Sequence, residues 1–218
     1  MIVGCAGLLS ISAGANTMTV DTGAVSLGGQ TVNAEAVFAT KAGELDRTLR
    51  NLTSNPISVG QNLSGLSLTL SSGQTSGTLA SSSGMERSVY STLPGVLGWM
   101  NGSTVTTGWS LTGLFLNVLG TPEAPEHTII GAPNLSNAYA AAKGSIVGGP
   151  HNPFLAGDVT FVIDIPTLTA ASTITSTMFQ FNTAPGSDVS VSVPDGGTTA
   201  LLLGAALSGL GLLRRKQS

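Results

Sequence analysis

A chain of 218 residues has room for one domain of ordinary size with a short signal at either end. Only 9% of its residues are charged, against about 25% in a typical soluble domain, and aromatics make up just 5%, so the core must come from Val, Leu, Ile and Ala. Residues 16–193 carry five basic side chains (Lys41, Arg47, Arg50, Arg87, Lys143) against ten carboxylates, a balance that excludes the basic surface a nucleic-acid-binding protein needs.

Residues 2–15 form an uncharged run of apolar and small side chains. Its length suits the apolar segment of a signal peptide and is too short to span a bilayer. Ala13-Gly14-Ala15 supplies the small residues a signal peptidase requires, which places cleavage before Asn16. No Lys or Arg precedes the run, as expected of a truncated leader or of a start codon chosen downstream of the true one. The only cysteine, Cys5, falls inside this leader, so the mature chain is expected to lack thiol chemistry, disulfides and zinc–cysteine sites. Ile2-Val3-Gly4-Cys5 resembles a lipoprotein box, but most of the apolar run follows the cysteine, where a true box would end it.

The body, residues 16–192, reads as an exported all-β domain, a single β-sandwich or jelly-roll-like fold. Residues 34–52 have a helix-favouring content of Ala, Glu, Lys and Leu, but Gly43 interrupts them and no cap precedes them. They are read as two strands around a turn. Leu66, Leu68 and Leu70 alternate with Ser67 and Thr69 before the turn residues Ser71-Ser72-Gly73. Residues 88–93, 105–111 and 114–119 are further candidate strands. Val159, Phe161, Ile163 and Ile165 form a stripe that Pro166 ends. Phe179 and Phe181, then Val189, Val191 and Val193, continue the period of two.

Catalytic motifs are absent from the sequence: no Gly-x-Ser-x-Gly elbow, phosphate loop, Gly-x-Gly-x-x-Gly or His-Glu-x-x-His occurs. The chain is therefore expected not to be an enzyme and to need no cofactor or metal. The candidates for an exception are few. His127 follows Glu123 and Glu126 in a proline-rich segment, a carboxylate–imidazole pattern able to hold a metal but more often a solvated loop. Asp158, Asp164 and Asp188 lack the spacing of a calcium loop. A surface hydrolase would need a pocket gathering at least two of His127, His151, Asp158, Asp164, Glu123 and Glu126. Trp99, bracketed by Pro94, Gly95, Gly98 and Gly102 as in a loop, could stack on a sugar with Tyr90 and Tyr139. In so aromatic-poor a chain, however, Trp99 and Trp109 are better read as core anchors. Asn51, Asn62, Asn101 and Asn134 begin Asn-x-Ser/Thr triplets, which arise by chance in a sequence so rich in these residues.

The C-terminus carries the strongest signal. Val193-Pro194-Asp195-Gly196-Gly197 breaks the last strand, and residues 198–213 then run without a charge to Arg214-Arg215-Lys216. As a helix the run measures about 24 Å, a transmembrane span short enough to require some lipid thinning. The terminal cations would stay cytoplasmic and set the orientation. This tripartite tail resembles the PEP-CTERM family of sorting signals, in the variant beginning Val-Pro-Asp, with residues 193–218 as the sorting signal. The resemblance implies a Gram-negative bacterium and export by the Sec machinery. It also implies anchoring in the inner membrane and recognition by an exosortase-type processing enzyme. It further implies a surface or matrix protein of structural or adhesive kind, linked to extracellular polysaccharide and biofilm. A carbohydrate-binding module at the cell surface is the alternative reading.

Overall fold

The computed structural model describes residues 15–93, 96–119, 126–147, 150–184 and 186–192. Residues 1–14 of the expected leader, the sorting motif, residues 198–213 and the terminal cations Arg214, Arg215 and Lys216 lie outside the described residues. Fourteen strands are present in those segments. The first five are β1 (Asn16–Asp21), β2 (Val25–Leu27), β3 (Gln30–Val32), β4 (Ala34–Lys41) and β5 (Glu44–Asn51). A single 3-10 turn, Val59–Gln61, precedes β6 (Leu63–Leu70) and the long strands β7 (Thr78–Leu93) and β8 (Val96–Val105). There follow β9 (Ser110–Thr112), β10 (Phe115–Asn117), β11 (Ile129–Ile130), β12 (Phe154–Asp164), β13 (Ile174–Phe181) and β14 (Asp188–Ser192). Among the described residues no helix is long and apolar enough to cross a membrane.

β2 and β3 pair only with each other, and the other strands fall into two layers among the described residues. One runs β1-β4-β5-β12-β7-β8 and the other β14-β13-β6-β10-β9, each antiparallel throughout. The short β11 joins them, parallel to β12 and antiparallel to β6. Leu45, Leu49, Phe161 and Ile163 from the first layer and Leu63, Leu66, Phe179 and Phe181 from the second share one buried core. This is a β-sandwich of the expected kind.

Residues 34–52 show why propensity loses here. Ala34, Ala36, Phe38 and Thr40 are buried alternately with half-exposed neighbours, as are Leu45, Arg47, Leu49 and Asn51. A period of two buries one whole face of a sheet, whereas a helix would bring Arg47 and Leu45 to different sides. Gly43, at φ 79°, makes the turn between them, a conformation that costs other residues a steric clash.

Two expectations are corrected. Residues 105–111 are not one strand: Val105 ends β8 and Ser110 opens β9, while between them Trp109 turns inward to pack on Phe161 at 5.3 Å. Trp99 does not lie in a loop. It is in the middle of β8, paired with Val89 of β7, and Gly98 and Gly102 belong to the same strand, with a register shift after Asn101.

A second, smaller core sits beside the hairpin of β7 and β8. Val59, Val89, Ile130, Tyr139, Ile146 and Phe154 form it, with Trp99 packed against it. Most of residues 131–152 have no regular strand, and they are held as a cover by specific bonds. The Asn55 carboxamide accepts from Ala141 N at 3.1 Å, and Lys143 N donates to Ile57 O at 2.8 Å. At the seam, Asn51 donates to Gln61 O and Ile129 O and accepts from Thr53 N, tying β5, the 3-10 turn and β11 together.

Candidate functional site

Two of the side chains proposed for a catalytic pocket, His127 and Asp158, are engaged in separate clusters. His127, at φ 57°, places Nδ1 2.9 Å from Thr107 O and Nε2 3.2 Å from a Glu86 carboxylate oxygen. Both ring nitrogens thus face acceptors, so the geometry uses the imidazole as a clasp between β7 and the loop after β8. Its backbone carbonyl accepts the Trp109 indole N–H at 2.9 Å, which fixes the core tryptophan as well. Glu126 is exposed and Glu123 lies outside the described residues.

Asp158 belongs to a different cluster. Arg50 bonds it through Nε and Nη2 at 2.5 and 3.0 Å and reaches Glu35 through Nη1 at 2.6 Å. Hydrogen bonding from Arg50 holds the Asp158 carboxyl below its ordinary range, and the two carboxylates raise the guanidinium above its own. Asp164 and Asp188 are exposed at the end of β12 and the start of β14. His151 is half-buried. Among the described residues no three His, Cys, Asp or Glu side chains gather closely enough to hold a metal ion.

The three aromatics of the sugar-stacking reading do not share a surface. Tyr139 is buried, its hydroxyl donating to Gly131 O at 2.7 Å. Trp99 meets Tyr139 edge-on at 6.3 Å and lies under the Arg87 guanidinium at 4.3 Å, while its indole N–H donates to Asn137 O at 2.9 Å. Its polar and π groups are all engaged within the protein. Tyr90, opposite Gly98, lies on the other face of the hairpin. Two of the four Asn-x-Ser/Thr asparagines, Asn51 and Asn62, are buried in polar contacts and unavailable to any modification of the folded chain.

Sequence reasoning missed two features. Arg47 is 1% exposed and none of its three guanidinium nitrogens has a hydrogen-bond partner. It stands in β5 opposite Phe38 and Phe161, and burial pushes its pKa down to about 9. The period of two in β5 was the available signal, because Leu45, Arg47 and Leu49 have the same parity. The second feature is the outer edge of β8, which pairs with no second strand among the described residues and required the strand order to see.

What the body leaves open, the tail addresses. Residues 192–216 match the VPDSG-CTERM motif, a PEP-CTERM-like sorting signal. The matched span contains Val193-Pro194-Asp195-Gly196-Gly197 and Arg214-Arg215-Lys216, with Gly196 where the motif's name spells serine. No curated protein and no solved structure is significantly similar to this chain. The sorting motif suggests an exported, surface-sorted protein, and the strand that leads into it is β14, at the edge of the second layer.

Proposed function

We propose that the chain is a non-enzymatic, exported surface protein whose β-sandwich body is delivered and released through its C-terminal signal. In this reading an exosortase-type enzyme of the inner membrane recognises Val193-Pro194-Asp195-Gly196-Gly197. The match to the VPDSG-CTERM motif carries the reading. The tail's chemistry supports it. Pro194 disfavours helix at Val193, and Gly196-Gly197 keep the following peptide unwound, so a protease can take it in extended form. The uncharged residues 198–213, as a membrane helix, hold that peptide at the outer surface, and Arg214, Arg215 and Lys216 keep the far end in the cytoplasm. The body is then a structural or adhesive element of the surface or of the polysaccharide matrix around it.

Intact mass spectrometry of the protein from a host that possesses exosortase tests the proposal. The expected mature chain ends within the 193–197 segment and lacks the terminal cations. Recovery of full-length C-termini alone, in such a host, would leave a permanent membrane anchor as the better account.

A further inference from the structure

We propose that two copies of this chain join through the outer edge of β8, pairing that strand with itself in antiparallel fashion about a two-fold axis. The inference does not depend on how the tail is processed. β8 has ten residues and, among the described residues, pairs only with β7. No backbone bond from its far side to any other described segment is present. An edge of this kind offers a row of free N–H and C=O groups, which sheet proteins ordinarily guard with Lys, Pro or short length.

The other edges are guarded in that way and β8 is not. β1 has six residues and ends in Asp21, β14 has five and begins with Asp188, and β9 has only three. β8 reads Val-Leu-Gly-Trp-Met-Asn-Gly-Ser-Thr-Val, with neither a charge nor a proline. Between its two register shifts, residues 97–101 run in regular pairing with residues 87–91 of β7, leaving a five-residue stretch of even edge.

The faces beside this edge point to the same partner. On one face Val89, Trp99 and Arg87 are engaged by the smaller core. On the other, Tyr90 and Met100 are exposed, Met100 at 57%, as a small apolar pair next to the edge. Residues 88, 90, 98 and 100 share this face through the pairs Ser88–Met100 and Tyr90–Gly98. A two-fold axis perpendicular to the sheet keeps that face common to both copies and brings apolar side chains from each to the joint. In antiparallel self-pairing a charged side chain at or beside the axis would face its own copy; β8 carries no charge at any position, so every register of self-pairing is free of that repulsion. Head-to-tail joining of β8 to β1 would be antiparallel too, but it would carry Asp21 into the ladder and would not close.

The test is sedimentation velocity of the full chain in mild detergent, for the wild type, Met100→Lys and Leu135→Lys. Met100 and Leu135 are both exposed, so neither substitution disturbs the core, and unchanged melting temperatures confirm it. The expected result is a wild-type dimer, a monomeric Met100→Lys variant because two cations meet at the joint, and a dimeric Leu135→Lys variant. Amide exchange should show residues 97–101 protected in the wild type and released in Met100→Lys. A monomeric wild type, a dimer that Met100→Lys leaves intact, or assembly growing beyond the dimer would each overturn the proposal.

Discussion

Arg50 and Asp158 meet across β5 and β12 in a two-pronged ion pair, Nε to Oδ1 at 2.5 Å and Nη2 to Oδ2 at 3.0 Å. Glu35 on β4 takes the remaining arm of the same guanidinium, so one cation ties three adjacent strands on the outer face of the first layer. Arg47, three residues earlier, has the opposite parity and points into the core. The two arginines are physically opposite cases: one is solvated and doubly paired, the other dry and unpaired.

The outer pair predicts a pH-dependent effect of Asp158→Asn. Asp158 is more than half exposed, so its pairing contributes only about 0.5 kcal/mol. Because Arg50 depresses the folded-state pKa of Asp158, that contribution is present above the ordinary carboxylate pKa of about 4 and is lost as pH falls through the lower folded value. Thermal melts across pH should show the wild type slightly more stable than Asp158→Asn at neutral pH. The two curves should converge in acid.

The inner arginine predicts a stabilising substitution. A fully buried, unpaired guanidinium costs several kcal/mol, and an apolar side chain of similar volume removes that cost. Arg47→Met should raise stability by about 3 kcal/mol at neutral pH, read from chemical denaturation. The sign of the pH dependence follows from the depressed pKa. Folded Arg47 loses its proton near 9 while the unfolded chain keeps its proton to much higher pH, so the wild type regains stability as pH rises above 9. The advantage of Arg47→Met should therefore shrink above pH 9. A loss of stability in Arg47→Met would mean that the guanidinium has a stabilising role in the folded core.

Gly131 predicts a steric failure. A Cβ placed there would sit 1.7 Å from Thr53 O and 2.8 Å from Thr53 C, both backbone atoms that cannot swing aside. The neighbouring strand end would have to move, and with it the Asn51 side chain that bridges β5, the 3-10 turn and β11. Gly131→Ala should destabilise by about 2–3 kcal/mol, measured by urea unfolding. A substitution of less than a tenth of that effect would show the segment to be freely adjustable.

Much of the sandwich was legible because its strands bury one face only. The stripes of residues 66–70 and 159–165 and the paired strands around Gly43 follow from alternation alone. The hairpin of β7 and β8 was not legible in the same way. It runs beside both cores: Leu155 of β12, opposite Glu86, belongs to the main core, while Phe154, opposite Arg87, belongs to the smaller one. A strand buried partly on each side shows no clean period. Gly98 and Gly102 added a false turn signal around Trp99, where Gly98 instead makes room for the Tyr90 ring. The clustering that a catalytic site would need depends on contacts far apart in sequence, as with Arg50 and Asp158, and spacing carries no information about them. The tail was legible because a sorting signal must be read as a linear peptide.

Tyr139 supplies the last prediction, because its hydroxyl locks the smaller core to the hairpin. The phenol donates to Gly131 O at 2.7 Å and accepts from Arg87 Nη1 at 3.0 Å, while the same guanidinium reaches Asn101 at 2.9 Å and lies over Trp99. Tyr139→Phe keeps the ring and its packing but leaves the buried Gly131 carbonyl without its donor, a loss of about 1–2 kcal/mol. Burial raises the phenol's pKa, with Arg87 opposing it more weakly. The folded protein therefore retains the proton where the unfolded chain has released it, at an ordinary value of about 10. Stability from this group is fully present below pH 10 and declines as pH rises through the higher folded pKa. Denaturation melts should show Tyr139→Phe less stable than the wild type at neutral pH, with the gap closing in alkali. Loss of the hydroxyl should also loosen the cover locally, so amide exchange is expected to speed up in residues 131–147 while the main core around Phe161 and Phe179 is unchanged. Equal acceleration in both cores would show that the sandwich and its cover unfold as one unit and would remove the separate role assigned to this hydroxyl.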